Sequence, residues 1–198
     1  MMHRALSTAG VVLAGGRSSR MGTDKAALVW NGKTFLERQI DLLESLACEE
    51  IFISVRKDQS FQVSRGRLLE DPIADAGPMV GIASALAETH CDALWVIAVD
   101  LPLLEASWMQ LLEQASCADS GAVFRSEKGI EPLIGYYPKS LLDVLDAAIR
   151  AGNYSVQDLL KNAEIAGKMH CIEMPKRMLD SCLNCNSPED LAMLRKRE

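Results

Sequence analysis

Residues 9–28 have the sequence AGVVLAGGRSSRMGTDKAAL, an apolar run followed at once by a glycine-rich segment. The apolar run, residues 9–14, is typical of a buried β-strand. A glycine-rich turn after a strand lets backbone N–H groups approach an anion without interference from side chains. The cations Arg17, Arg20 and Lys25 supply enough positive charge for a triphosphate, which a flexible surface turn would not require. The segment therefore predicts a phosphate-binding loop.

The spacing of this segment differs from that of the two common phosphate loops. A P-loop has Lys immediately after its last Gly and then Ser or Thr. Here Gly22 is followed by Thr23 and Asp24, and only then by Lys25. The segment also contains no GxGxxG, so neither a P-loop nor a dinucleotide-binding turn is predicted.

Outward from this loop, strand and helix patterns alternate. Thr34 and Glu37 form a capping box that begins the first helix. Strands are predicted at 9–14, 51–55, 67–70, 93–99, 122–125, 133–137 and 170–174, and helices at 34–46, 77–89, 105–115, 141–150, 155–162 and 187–194. Because strands and helices alternate in the N-terminal half, we expect a parallel sheet within one three-layer α/β domain.

The composition limits the possible partners and location. The 198 residues are 48% hydrophobic, and 27 acidic side chains outnumber 21 basic ones. This excess of acidic groups disfavours a nucleic-acid surface. The longest apolar stretches are too short to span a bilayer, and the N-terminus lacks the apolar core of a secretion signal. We therefore expect a soluble cytoplasmic protein without a membrane partner.

Six cysteines and three histidines give weak signals for metal or redox chemistry. Cys182 and Cys185 form a CxxC, but no second pair stands at zinc-like spacing. Redox pairs usually open a helix early in a βαβ unit, whereas this pair lies near the C-terminus. We interpret the cysteines as reduced, partly buried thiols, and none of the histidines is a catalytic candidate.

Asp100 directly follows the apolar strand predicted at 93–99. Ligands of open α/β sheets bind at the carboxyl ends of the strands. Mg²⁺ prefers one or two carboxylates together with phosphate oxygens and water. By position alone, Asp100 is either a magnesium ligand or an Asp that caps a turn or helix.

Four blocks of the sequence resemble those of one family. LAGGRSSRMGTDKAAL, residues 13–28, is similar to the LAGGxSxRMGxDKxxL signature of nucleotidyltransferases that build cofactors and nucleotide sugars. In the form LAGG with RMGxDK it most resembles the molybdenum cofactor guanylyltransferases. LEDPIADAGPMVGI (69–82), VDLPLL (99–104) and NCNSPEDL (184–191) are similar to that family's EDxxxxxGPLxGI, CDxP and NxNTPEDL. The blocks follow the family's order, so the resemblance spans about the whole chain.

The resemblance implies a three-layer α/β/α Rossmann-like nucleotidyltransferase fold with a mostly parallel central sheet. It implies one domain over residues 1–198, with a nucleotide-binding half at about 1–104 and an acceptor-binding half at about 105–198. The implied reaction is Mg²⁺-dependent transfer of GMP from GTP to the terminal phosphate of the molybdopterin cofactor, with release of pyrophosphate. Molybdopterin-synthesis proteins and apo-molybdoenzymes are the further candidate partners.

The resemblance also assigns roles to individual residues. Lys25 and Arg20 are assigned to the β and γ phosphates, with Arg17 as a weaker candidate, and Asp100 to Mg²⁺ and the nucleotide. The expected nucleotide contacts are Leu13, Ala14, Gly15, Gly16, Lys25, Ser54, Asp71, Gly77, Gly81 and Asp100, and the expected acceptor contacts are Asn184 and Asn186. At position 54 the family often carries Asn near the base, where this chain has Ser. The form LAGG favours guanine, because cytosine users tend to carry LAAG.

Several alternatives stay open. Lys25 could pair with Asp24 or cap a helix, Asp71 could form an Asx turn before Pro72, and Asn186 could cap the last helix. The acceptor half matches the family loosely, with Tyr154 where Arg is frequent. Rival functions are CMP transfer from CTP to the same cofactor, a sugar- or alcohol-phosphate nucleotidyltransferase, and a non-catalytic nucleotide-binding subunit.

Overall fold

The computed structural model describes residues 6–16, 24–59, 61–74, 76–179, 181–182, 185 and 188–195. Its strands are β1 (Thr8–Leu13), β2 (Val29–Trp30), β3 (Lys33–Thr34), β4 (Glu50–Val55), β5 (Arg67–Glu70), β6 (Ala93–Ala98), β7 (Gly121–Ser126), β8 (Gly129–Pro138) and β9 (Met169–Glu173). Its α-helices are α1 (Phe35–Ser45), α2 (Pro78–Glu88), α3 (Ala106–Gln114), α4 (Leu142–Arg150), α5 (Val156–Ile165) and α6 (Pro188–Arg195). Among these, no helix has the length and apolar character needed to cross a membrane.

Seven strands form one sheet in the order β5-β4-β1-β6-β8-β7-β9. The neighbouring strands are parallel except around β8, which runs antiparallel to both β6 and β7. The mostly parallel α/β sheet expected from the sequence is therefore confirmed. Strands from both halves of the chain belong to this sheet, since β6 pairs with β8.

Alternating side chains of the central strands face two separate cores. Val12 of β1 and Trp95 of β6 belong to one core, together with Phe35 of α1 and Met109 of α3. Residues of opposite parity on the same strands belong to the other core, which contains side chains of α2, α4 and α5. Because both faces of the sheet are buried, these strands are apolar almost throughout, as expected of parallel sheets.

The first helix begins as its sequence predicts. Thr34 is the N-cap of α1, its hydroxyl accepts the Glu37 N–H at 3.1 Å, and the Glu37 carboxylate accepts the Thr34 N–H at 2.7 Å. Between β1 and α1 the structure adds a single 3₁₀ turn, Lys25–Ala27, and the hairpin of β2 and β3. This hairpin was not predicted from the sequence, although Asn31 and Gly32 occupy its turn with φ of 47° and 73°.

Candidate active site

A cleft of about 990 Å³ lies along the carboxyl ends of β1, β4, β5 and β6. These four strands are mutually parallel, so the residues that follow them meet at one edge of the sheet. The cleft is lined by Leu13, Ala14, Gly15, Gly16, Lys25, Ser54, Arg56, Lys57, Asp58, Asp71, Pro72, Ile73, Ala74, Ala76, Gly77, Pro78, Ala98, Val99, Asp100 and Leu133. Nine of the predicted nucleotide contacts are thus brought to one cavity.

One ion pair in the cleft joins Lys25 to Asp100. The Lys25 Nζ lies 2.9 Å from the Asp100 Oδ2, and each side chain is 19% exposed. Lys25 opens the 3₁₀ turn, which Asp24 caps by accepting the Ala26 N–H at 3.0 Å. Asp100 follows β6, so two residues 75 positions apart are paired at the edge of the sheet. Beside a large cleft, such a cation can bind an anionic ligand, and such a carboxylate can bind a divalent ion.

A second carboxylate, Asp71, lies on the β4–β5 side of the cleft. The Ser54 hydroxyl donates a hydrogen bond to the Asp71 Oδ1 at 2.7 Å, and the Asp71 N–H donates to the Val55 carbonyl at 2.8 Å. Burial raises the pKa of the Asp71 carboxyl, and this effect is opposed by the Ser54 hydrogen bond and by the positive charge of Arg56. Asp71 is therefore a hydrogen-bond acceptor in a partly desolvated place.

Three glycines shape the cleft, two by allowing a close approach of neighbouring groups and one by its backbone conformation. A Cβ on Gly15 would lie 3.0 Å from the Asp71 Oδ2. Gly77 precedes α2 with φ of 74°, a conformation that favours glycine. A Cβ on Gly81 would lie 2.3 Å from the Ser54 Oγ, so this glycine lets α2 pack directly behind Ser54. Gly81 does not itself line the cleft. It affects the cleft by allowing α2 to pack against Ser54.

Two side chains that the sequence analysis did not select connect the loop after β4 to the glycine segment. The Arg56 Nη1 donates to the carbonyls of Gly15 and Gly16, at 3.1 and 2.7 Å. The Gln59 Nε2 donates to the Ala14 carbonyl at 3.1 Å and to the Asp24 Oδ2 at 2.5 Å. The signal available in the sequence was their position, since a polar RKDQ directly follows a buried strand at the binding edge.

The donor set at Asp100 fits Mg²⁺ and does not fit a metal held by protein side chains alone. Within the described ranges, no group of three or more His, Cys, Asp and Glu side chains could hold an ion. Mg²⁺ is commonly bound by one or two carboxylates, with the remaining positions taken by phosphate oxygens and water. The Asp100 carboxylate, on the wall of a cleft wide enough for a nucleotide, matches this pattern.

The C-terminal block also reaches this edge of the sheet. The Cys185 N–H donates to the Asp100 carbonyl at 3.0 Å. Burial raises the pKa of the Cys185 thiol, and raises that of Cys182 to about 12. Both thiols therefore resist ionisation at neutral pH, which disfavours redox chemistry at the CxxC. The other predicted site residues, Arg17, Arg20, Asn184 and Asn186, lie outside the described residues.

The structure defines an α/β protein with a cleft at the carboxyl edge of its sheet, where a cation and a carboxylate are in contact. Comparison with known families identifies the family within this class. Residues 10–168 match the model of the MobA-like NTP transferase domain, and the chain belongs to this family.

Relatives and solved structures agree with this assignment. The chain is 36% identical over 193 residues to a protein of Opitutus terrae named probable molybdenum cofactor guanylyltransferase, covering 96% of each chain. It is 31% identical to the molybdenum cofactor guanylyltransferase of Pseudomonas putida, covering 91% of this chain and 94% of that protein. The fold matches a crystal structure of molybdopterin-guanine dinucleotide biosynthesis protein A from Archaeoglobus fulgidus, with a TM-score of 0.73, 23% identity and coverage of 95% and 97%.

Proposed function

We propose that this nucleotidyltransferase moves GMP from GTP to the terminal phosphate of the molybdopterin cofactor, forming a guanine dinucleotide and releasing pyrophosphate. The observation that carries the proposal is the Lys25–Asp100 pair, 2.9 Å apart, on the wall of a cleft of about 990 Å³ at the carboxyl edge of the sheet. Its relatives named guanylyltransferase support guanine as the base and molybdopterin as the acceptor.

The chemistry needs little proton transfer. The nucleophile is an oxygen of a phosphate monoester, which is largely dianionic near neutral pH because its second pKa is about 6. This oxygen forms a bond to the α-phosphorus of GTP while the bond to the β-phosphate oxygen breaks, and the electron pair leaves with pyrophosphate. The protein must align the two phosphates and neutralise the charge that develops. The absence of an assigned general base among the cleft residues is compatible with this requirement.

Lys25 provides the charge neutralisation on the leaving group. Its ammonium donates a hydrogen bond to Asp100, and a triphosphate would compete with that carboxylate for it. Contact with the β and γ phosphates stabilises the negative charge as pyrophosphate departs. Arg20, and Arg17 as a weaker candidate, are proposed to add positive charge to the same phosphates.

Asp100 is the residue proposed to hold Mg²⁺. When bound, the ion would supply positive charge to the phosphate oxygens at the reacting centre. Asp100 is positioned for this role by β6, by its ion pair with Lys25, and by the hydrogen bond from Cys185 to its carbonyl.

The remaining cleft residues are proposed to hold the nucleoside. Asp71 can accept hydrogen bonds from the neutral N–H or O–H donors of a base or ribose, and Ser54 orients its carboxylate. The backbone of Leu13, Ala14, Gly15 and Gly16 and the turn at Gly77 would border the nucleotide, with Gly81 supporting Ser54 from behind. Asn184 and Asn186 are proposed for the acceptor, so that residues 1–104 serve GTP and residues 105–198 serve molybdopterin within one domain.

The test is transfer of label from nucleotide to cofactor. The full chain is incubated with molybdopterin cofactor, Mg²⁺ and either GTP or CTP labelled at the α-phosphate, and the labelled dinucleotide is separated from nucleotide. We expect a guanine dinucleotide in amounts equal to the pyrophosphate released, and loss of both on chelation of Mg²⁺. Preferred use of CTP would contradict the base assignment, and absence of any transfer to molybdopterin would contradict the acceptor. Such an enzyme would act in the cytoplasm and pass its product to apo-molybdoenzymes.

A further inference from the structure

Three successive backbone carbonyls at the end of β1 are bound by the same short loop. Gln59 donates to the Ala14 carbonyl, and Arg56 donates to the carbonyls of Gly15 and Gly16. In an extended strand, successive peptide groups alternate in direction. Here the three carbonyls instead meet one partner segment, residues 56–59, which follows β4.

This arrangement determines where the N–H groups point. In a trans peptide the C=O and the N–H of the next residue point in opposite directions, and none of the described peptides is cis. The N–H groups of Gly15 and Gly16 are therefore turned away from Arg56 and Gln59. Successive N–H groups on one side of the backbone form a concavity that binds anions. Both glycines line the cleft.

Gln59 also connects the glycine-rich segment to the turn that carries Lys25. Its amide nitrogen donates to the Ala14 carbonyl and to the Asp24 Oδ2, which lie before and after the basic part of the glycine-rich segment. Asp24 caps the 3₁₀ turn that begins at Lys25. A single side chain thus sets the position of the glycine backbone relative to the turn that carries the lysine.

We propose that Arg56 and Gln59 are positioning residues, which turn the peptide N–H groups of Gly15 and Gly16 toward the phosphates of the bound nucleotide and hold the Lys25 turn beside them. Arg56 is suited to this role because its planar fork presents several donors in fixed geometry, whereas a lysine ammonium offers a single centre. The inference rests on the proposed function, since it assumes a nucleotide in this cleft.

The experiment compares Arg56→Gln, Arg56→Lys and Gln59→Glu with the unaltered full chain. Gln59→Glu keeps the size of the side chain but places an acceptor against the Ala14 carbonyl and the Asp24 carboxylate. We expect Arg56→Gln and Gln59→Glu each to raise the KM for GTP about tenfold, the size expected from losing one or two orienting hydrogen bonds, with a smaller change in kcat. Arg56→Lys should recover part of this loss.

Two matched controls isolate the effect. Arg67→Gln removes an arginine that pairs with Glu88 at the opposite end of β5, and Gln62→Glu makes the same exchange as Gln59→Glu at an exposed position. Both should retain the KM of the unaltered chain. Thermal melting of every variant separates a loss of positioning from a loss of folding.

Competition by guanosine distinguishes a positioning role of Arg56 and Gln59 from a purely structural one. Guanosine has no phosphates, so its affinity should be unchanged in Arg56→Gln and Gln59→Glu while that of GTP falls. Equal losses for guanosine and GTP, or unchanged GTP kinetics in both folded variants, would overturn the inference. If the unaltered chain itself neither bound nor used GTP, the proposed function would fail instead, so the two failures are distinguishable.

Discussion

Two of the carboxylates that line the cleft, Asp100 and Asp71, have contrasting partners. Asp100 is paired with the Lys25 ammonium at 2.9 Å, whereas Asp71 accepts a hydrogen bond from the neutral Ser54 hydroxyl at 2.7 Å. Burial raises the pKa of Asp71. An ammonium and a carboxylate in contact can exchange partners with a phosphate and its counter-ion, which themselves carry opposite charges. A carboxylate that is hydrogen-bonded to a neutral hydroxyl, and on which the charge of Arg56 acts less than burial does, is better matched to uncharged N–H and O–H donors.

We therefore propose that the cleft has a phosphate side at Asp100 and a nucleoside side at Asp71. Substitutions on the phosphate side should act mainly on turnover, because charge changes there during the reaction. Substitutions on the nucleoside side should act mainly on KM, because the nucleoside does not change during the reaction. Separate measurements of kcat and KM test whether the cleft has these two sides.

The largest effect is expected for Asp100→Ala. Removal of the proposed magnesium ligand should lower Mg²⁺-dependent turnover by about 10³-fold or more, the upper range for removal of one stabilising group at a reacting centre. Initial rates of dinucleotide formation across a Mg²⁺ series measure it. Asp92→Asn is the control, because Asp92 precedes the same strand at its other end and accepts hydrogen bonds from Ser7. Near-normal turnover of Asp100→Ala at ordinary Mg²⁺ would remove this residue from the mechanism.

Lys25→Met should lower kcat for dinucleotide formation by about 10²-fold, because one charged donor to the leaving phosphates is lost. Lys25→Arg should retain part of the activity, since its charge is kept while its geometry changes. Lys33→Met serves as control, because Lys33 forms an exposed ion pair with Asp41 on the hairpin and α1. Steady-state kinetics equal to those of the unaltered chain would refute the contact of Lys25 with the phosphates.

Much of this site was predictable because it lies where buried strands end. The apolar run before Asp100 and the capping box at Thr34 each gave a correct local structure. The direction of β8 was not predictable in the same way, because a buried apolar strand has the same pattern whichever way it runs. The contacts of Arg56 and Gln59 with the glycine segment join residues about 35 to 45 positions apart, and no local pattern encodes such pairs. The roles given to Lys25 and Asp71 came from the family resemblance.

On the nucleoside side, Asp71→Asn should raise the KM for GTP about tenfold, with a smaller change in kcat, because a charged acceptor is replaced by a neutral amide. Ser54→Ala should raise it less, since the carboxylate itself is kept. Steady-state kinetics at saturating molybdopterin give both parameters. A fall in kcat as large as that of Lys25→Met, with KM unchanged, would place Asp71 on the phosphate side and end the division.

The smallest effect concerns the stability of the folded chain. Burial raises the pKa of Asp71 above its ordinary value of 3.8, so the folded state binds this proton more tightly than the unfolded state. Protonation of Asp71 therefore stabilises the folded chain fully below pH 3.8. This stabilisation is lost as pH rises through the pKa of Asp71 in the folded state. Because Asn does not titrate, we expect the Tm of Asp71→Asn, relative to the unaltered chain, to be higher at pH 7 than at pH 4.

Asp158→Asn tests the sign of this argument. The hydrogen bond from Ser155 and the contact with Lys161 lower the pKa of Asp158, which lies in the first turn of α5. Its stabilising contribution is present above the ordinary pKa and is lost as pH falls, so the relative Tm of this variant should change with pH in the opposite direction. A relative Tm of Asp71→Asn that falls between pH 4 and pH 7 would mean that Asp71 is stabilised in its charged form, as expected of a partner of a cation, and the contrast with Asp100 would be lost.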